Sequence, residues 1–295
     1  MLILISQAAL AAGRPAIVVA SKIDTEGALL GHMILDMLGD HDIPVRNRLQ
    51  LGPTNIVRAA ILAGQIDIYP EYTGNGALFF HMEKDPVWKS RAQGYAEIAR
   101  LDREKNHLVW LAPAPANNTW VIAVRKDLAR RGHLATMSDF AHYVNGGGKI
   151  KLAASAEFVE SPSALPAFEA SYGFRLSDRQ LLTLSGGNTS ATLRAAAEGM
   201  SGVDAAMAYG TDGAIAALGL VALADDKGAQ IVYAPAPVVR LAVVQRYPRI
   251  AGLLDPVFAS LTLATLQRLN AQIAVDGKDA GAVAVSYLKS KHFLP

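Results

Sequence analysis

One pattern occurs twice in this sequence, and a chain that repeats a supersecondary unit must find two equivalent places for it. The first copy runs Arg58-Ala59-Ala60, then Asp67-Ile68-Tyr69-Pro70-Glu71-Tyr72-Thr73-Gly74-Asn75-Gly76-Ala77. The second runs Arg194-Ala195-Ala196, then Asp204-Ala205-Ala206-Met207-Ala208-Tyr209-Gly210-Thr211-Asp212-Gly213-Ala214. In both, an Arg-Ala-Ala helix leads into a strand opened by aspartate, with a tyrosine five residues on and a glycine nine residues on. The spacing puts Tyr72 and Tyr209 just past equivalent strand ends, each leading into a helix start. An alanine-rich chain can echo itself by coincidence; the shared order of features favours two similar lobes.

The residues around the first copy alternate strand and helix. Ala16 to Ala20 is a buried-strand run, Asp24 can cap a helix through about Leu38, and Gly39 closes it. Val45 to Leu51 alternates like a strand, Thr54 caps a helix from Asn55 to Ala63, and Ile66 to Tyr69 makes a third strand. This β-α-β-α-β order implies a mainly parallel sheet with helices on its faces. Such sheets bind ligands beyond the carboxyl ends of their strands, where Tyr72 falls.

A second echo is Ala112-Pro113-Ala114-Pro115 and Ala234-Pro235-Ala236-Pro237. Alternating proline fixes φ and removes every second N–H, which argues for extended crossovers and against a helix or a central strand. Two ordinary surface loops would read the same way. As crossovers, the rods bound one lobe of residues 16–115 with 234–295 and a second of residues 116–233. The expected fold is α/β, two lobes with mainly parallel sheets flanked by helices and joined by two extended crossovers.

Composition narrows the function. The 295 residues carry a net charge of +2, with no basic run of the kind that grips nucleic acid. Zero cysteines exclude disulfide frameworks, zinc fingers and thiol nucleophiles. Met1 to Ala12 is an apolar run ending in small residues, with an A-x-A-like site at Ala9-Leu10-Ala11 but no basic n-region. It reads as the remnant of a secretory signal over residues 1–12, or else as a first strand, and the first reading implies an exported, periplasmic protein.

Catalytic signatures are thin. The seven histidines show no metal-ligand spacing, and Gly146-Gly147-Gly148-Lys149 is followed by Ile150 where a phosphate loop needs Ser or Thr. No cofactor, metal or catalytic group is expected. Aromatic residues make up 7% of the chain, yet Tyr72, Tyr209, Trp120 and Tyr233 fall at strand ends and beside the proline rods. Taken singly, each could be plain packing. Together they would surround one cleft with ring faces, which attract a quaternary ammonium that cannot hydrogen-bond.

The strings Ser21-Lys22-Ile23-Asp24-Thr25-Glu26, Tyr69-Pro70-Glu71-Tyr72-Thr73-Gly74, Asn117-Asn118-Thr119-Trp120, Tyr209-Gly210-Thr211-Asp212-Gly213 and Ala236-Pro237-Val238-Val239-Arg240 resemble the osmoprotectant-binding proteins of ABC importers. These are the ProX/OpuAC-like receptors for glycine betaine, choline and their relatives, and the chain is most similar to the branch of YehZ/OsmF-type binding proteins. The resemblance implies a type II periplasmic-binding-protein fold, monomeric, that closes on its ligand and delivers it to an ABC permease in the membrane. It implies that Tyr72, Tyr209 and Tyr233 are cage tyrosines, with Trp120 where the family usually has tyrosine. It further implies that Lys22 can pair with a ligand carboxylate, that Asn75 tunes the ligand tail, and that Asn118 lies on the crossover. Many relatives carry an arginine in the segment that here reads Glu160-Ser161-Pro162-Ser163-Ala164-Leu165-Pro166. With Ser161 in its place a charge-assisted clamp worth about 1.5–3 kcal/mol is gone. Weak betaine binding, or preference for another ligand, is therefore expected. Two other readings stay open: an enzyme on a bilobal fold, with Lys22 the candidate reactive amine, and a ligand sensor for a membrane receptor.

Overall fold

Among the described residues of the computed structural model, 15–184 and 189–295, ten strands form two five-stranded sheets. The signal-sequence reading of residues 1–12 lies outside the described residues. The strands are β1 (Ile17–Lys22), β2 (Val45–Gly52), β3 (Ile68–Tyr72), β4 (Leu108–Trp110), β5 (Trp120–Arg125), β6 (Leu152–Ser155), β7 (Leu181–Leu184), β8 (Ala205–Tyr209), β9 (Leu220–Ala222) and β10 (Pro235–Arg240). The first sheet has the order β2-β1-β3-β10-β4 and the second β7-β6-β8-β5-β9. In each, the fourth strand is antiparallel to both neighbours and the rest share one direction. The two sheets are thus the same arrangement built twice, with β3 and β8, the strands of the echoed motif, at the same central position.

The local rules act as the sequence suggests at most points. Helix α1 (Thr25–Asp40) is capped by Asp24, whose carboxylate accepts from the Gly27 amide at 2.7 Å. Helix α2 (Thr54–Leu62) begins one residue earlier than expected: Pro53 holds the cap position, and Thr54 is the first helical residue rather than the cap. Strand β3 extends to Tyr72, so this tyrosine ends the strand rather than following it, and helix α3 (Asn75–Phe79) starts three residues later.

The echoed aspartates pin strands together. Asp67 Oδ2 accepts from the Val18 amide of β1 at 2.9 Å, and its main-chain oxygen accepts from the amide of Arg240 at the end of β10. Asp204 does the same in the second sheet, with the amides of Lys151, just before β6, and Arg125 at the end of β5.

The second Ala-Pro-Ala-Pro segment corrects an expectation, because it is not a crossover. It forms β10, a central strand between β3 and β4. The alternation that seemed to forbid this permits it. Pro235 and Pro237 face the same edge, where their carbonyls accept from the amides of Ala114 and Leu111. Their missing N–H groups therefore face the first proline rod. Ala234 turns its amide the other way, to Thr73 Oγ1 at 3.1 Å. Pro237 sits opposite Pro70, so neither ring interrupts the β3–β10 ladder.

Apolar side chains cover both faces of each sheet. Two buried clusters on the first sheet draw on residues 17–116 and 231–294, and two on the second draw on residues 120–229. The chain passes between the sheets twice, after β4 and after β9. These passages are bonded side by side: the Asn118 amide donates to Tyr233 O at 2.9 Å, and the Tyr233 amide to Asn117 Oδ1 at 2.8 Å.

Candidate ligand-binding site

A cavity of about 660 Å³ opens between the two sheets at the carboxyl ends of β1, β3, β6 and β8. Seven of the eight residues singled out by sequence line it: Lys22, Tyr72, Asn75, Asn118, Trp120, Tyr209 and Tyr233. Ser161 is the exception and a correction. It ends the short helix Ala156–Glu160, outside the lining, and its hydroxyl meets Ser163 Oγ at 3.0 Å. The turn after that helix carries residue 161 away from the cavity, and Glu157, one turn earlier, lines it instead.

The aromatic residues divide into two groups. Trp120 begins β5 directly opposite Tyr209 in β8, and the register stacks the rings at 4.3 Å between centroids and 23° between planes. Phe158 abuts the indole edge-on at 5.4 Å. Tyr72 ends β3 on the facing sheet, 7% exposed, with its hydroxyl donating to Glu26 Oε1 at 2.8 Å. Tyr233 comes from the second passage and leans on Gly74, where a Cβ would lie 2.7 Å from its ring. Rings from both sheets and from the passage between them thus border one space.

Lys22 does not present a free charge to it. Its ammonium pairs with Glu71 at 2.5 Å, with side-chain exposures of 8% and 0%, and lies 4.6 Å from the centroid of the Tyr72 ring. Glu71 Oε1 also accepts from Asn75 Nδ2 and from the Tyr72 amide, both at 2.7 Å, and Oε2 accepts from Tyr69. Asn75 therefore also serves to hold Glu71.

Sequence reasoning assigned none of Glu26, Asp212, Thr211 and Asn270 to ligand binding, and all four are in the lining. Glu26 stands two residues past the α1 cap, a place where an acid is ordinarily read as a response to the helix dipole. Its second oxygen accepts from Asn270 Nδ2 at 2.7 Å, and Thr211 also bonds to it. Burial raises its pKa above the ordinary carboxylate value against the pull of these hydrogen bonds. Burial and the neighbouring Glu26 charge push the Tyr72 phenol well up, so it remains a donor. Burial raises Asp212 as well. Asn270 belongs to the helix Leu263–Ala274, which packs so closely on the second sheet's loop that a Cβ on Gly213 would lie 2.1 Å from the Ala271 amide.

The family OpuAC, "Substrate binding domain of ABC-type glycine betaine transport system", matches residues 15–290. The glycine betaine-binding protein YehZ of Escherichia coli K12 is 59% identical over 273 residues, 92% of this chain and 90% of its own length. A glycine-betaine-binding protein of Pseudomonas aeruginosa is 30% identical over 282 residues, 94% of this chain and 88% of its own. Among solved structures, apo YehZ from Escherichia coli superposes with a TM-score of 0.88 at 57% identity, covering 95% of this chain and all of that one.

Proposed function

This chain belongs to the OpuAC family of substrate-binding domains of ABC-type glycine betaine transport systems, and from that premise we propose that it captures a small quaternary-ammonium osmolyte in the periplasm and delivers it, as a monomer, to an ABC permease. The observation that supports the ligand class is the cavity between the sheets bordered by Tyr72, Trp120, Tyr209 and Tyr233. A trimethylammonium group gains about 0.5–2 kcal/mol from each desolvated ring face it meets.

We take residues 16–115 with 234–295 as one lobe and 116–233 as the other, hinged at the paired passages through Asn118 and Tyr233. Tyr72 and Asn75 then reach the ligand from one lobe, and Tyr209 and Trp120 from the other. Contacts made to both stabilise the closed form, which the permease recognises. Affinity depends on how readily the lobes close as well as on the cage. With Lys22 committed to Glu71 and no arginine in the lining among the described residues, these residues offer betaine's carboxylate no free cationic clamp, which supports weak betaine binding. The same ion pair leaves the enzyme reading without a free amine.

Isothermal titration with glycine betaine, choline, carnitine and ectoine tests this. Binding is expected for the quaternary amines, and Tyr209→Ala is expected to raise Kd about tenfold or more, the loss of roughly one desolvated ring face and its stacking partner. Because Tyr209 is only half-buried, the variant's melting temperature should stay near that of the parent. Unchanged affinity in Tyr209→Ala would remove it from the cage, and binding of ectoine alone would overturn the ligand class.

A further inference from the structure

We propose that Glu26 is the specificity-determining residue of this site: its carboxylate, enclosed by neutral donors at the cavity wall, reads the permanent positive charge of the ligand head, which aromatic shape alone does not. The inference rests on the quaternary-amine reading and adds to it a partner outside the aromatic cage.

Glu26 is 5% exposed, and all four groups bonded to it are neutral donors: Tyr72 and Asn118 on Oε1, Asn270 on Oε2, and Thr211. No cation pairs with it among the described residues. A buried carboxylate so placed is costly unless a positive charge comes close, and hydrogen bonds offset only part of that cost. The donor geometry suits an ionised carboxylate, since none of the four offers it an acceptor in these bonds.

The rest of the wall leads to the same conclusion. Among the described residues four carboxylates line the cavity, Asp24, Glu26, Glu157 and Asp212, against one ammonium, Lys22, which is already committed to Glu71. The buried side-chain atoms without a protein partner beside Glu26, Asn118 Oδ1 and Asn270 Oδ1, are both acceptors. A cationic head would meet negative charge and lone pairs over much of its surface. Glu26 is the member of the four that is buried, and its donors come from β3, from the passage between sheets, from the loop after β8 and from the helix Leu263–Ala274. A cation beside it therefore also favours the arrangement that joins these pieces.

The test compares choline and glycine betaine, each with the tert-butyl compound in which carbon replaces the ammonium nitrogen, by calorimetry on the parent and on Glu26→Gln. Glutamine removes the charge and keeps one acceptor, for Tyr72 or for Asn270, while its nitrogen puts a donor in place of the other oxygen. The preference for ammonium over its carbon isostere is expected to fall about tenfold or more in Glu26→Gln, the loss of one close charge contact. An unchanged preference, in a variant that melts cooperatively, would overturn the proposal.

A second measurement covers a variant that fails to fold. In the parent, affinity for the quaternary amine should weaken as pH falls through the raised titration of Glu26, because protonation removes the countercharge. Asp212, also raised by burial, and the exposed Asp24 and Glu157 face the same space, so Glu26→Asn or Glu26→Gln must flatten most of this dependence. A pH-independent affinity in the parent would also overturn it. If neither choline nor betaine binds the parent at all, the quaternary-amine reading itself fails, an outcome distinct from binding that ignores Glu26.

Discussion

At the scale of single residues, buried charge governs this site. Glu71 is fully enclosed and collects Lys22, Tyr69, Asn75 and the Tyr72 amide, so it orders the cavity wall without touching its contents. Glu71→Gln would leave the Lys22 ammonium buried without a countercharge. A loss of about 3 kcal/mol or more is expected, the usual consequence of breaking such a pair from one side. Urea unfolding measures it; a variant within about 0.5 kcal/mol of the parent, the range of neutral surface changes, would show that the pair does not hold the wall. Arg58 and Asp102 form a second buried pair, bonded also to Trp110 and Asn106, beneath α2. It gives Arg58 a packing role in the first copy of the motif rather than a ligand contact, whereas Arg194, its counterpart in the second copy, is exposed.

At the scale of elements, strand β10 makes a sharp test of how proline is tolerated. Its two prolines face the edge where the opposing chain is itself proline-rich, while Ala234 and Ala236 face β3. Ala236→Pro should therefore cost about 3 kcal/mol or more, because it removes a donor from the central ladder and crowds Glu71 opposite. Pro237→Ala, by contrast, restores an amide facing Leu111 and should change stability by less than about 1 kcal/mol. Equal effects from the two substitutions, followed by thermal unfolding, would contradict the edge assignment. The echoed aspartates follow the same logic: each sits at a strand entrance and bonds a neighbouring strand's amide, which fixes the register that later delivers Tyr72 and Tyr209 to the cavity.

For the whole molecule, the cavity exists only because two copies of one sheet face each other across paired passages. Ligand bound between them is expected to draw the lobes together. Small-angle scattering should show a smaller radius of gyration at saturating ligand, and a Tyr209→Ala protein at the same concentration should stay near the unliganded value. Scattering that does not change at saturation would contradict hinge closure. The helix Leu263–Ala274 constrains that motion, since Gln267 donates to Gly210 O at 2.7 Å and Asn270 bonds both Thr211 O and Glu26. It ties the second lobe's loop to the floor of the site close to the hinge.

The sequence alone determined the alternating α/β order, the doubling of one motif, the strand-end placement of Tyr72 and Tyr209, and the aromatic part of the cavity lining. Each of these rests on periodicity, capping or turn chemistry acting over a few residues, and such rules are written locally. The second proline rod misled because the same local rule does not say which edge of a strand lies beside which neighbour. Ser161 was assigned by position in a motif, and one helical turn moved it out of the lining. Tertiary structure decided what pairs with what. Lys22 meets Glu71 across 49 residues and Asn270 meets Glu26 across 244. Those contacts follow from how two sheets and a late helix pack, and burial then turns an ordinary first-turn glutamate into an enclosed carboxyl group at the cavity wall.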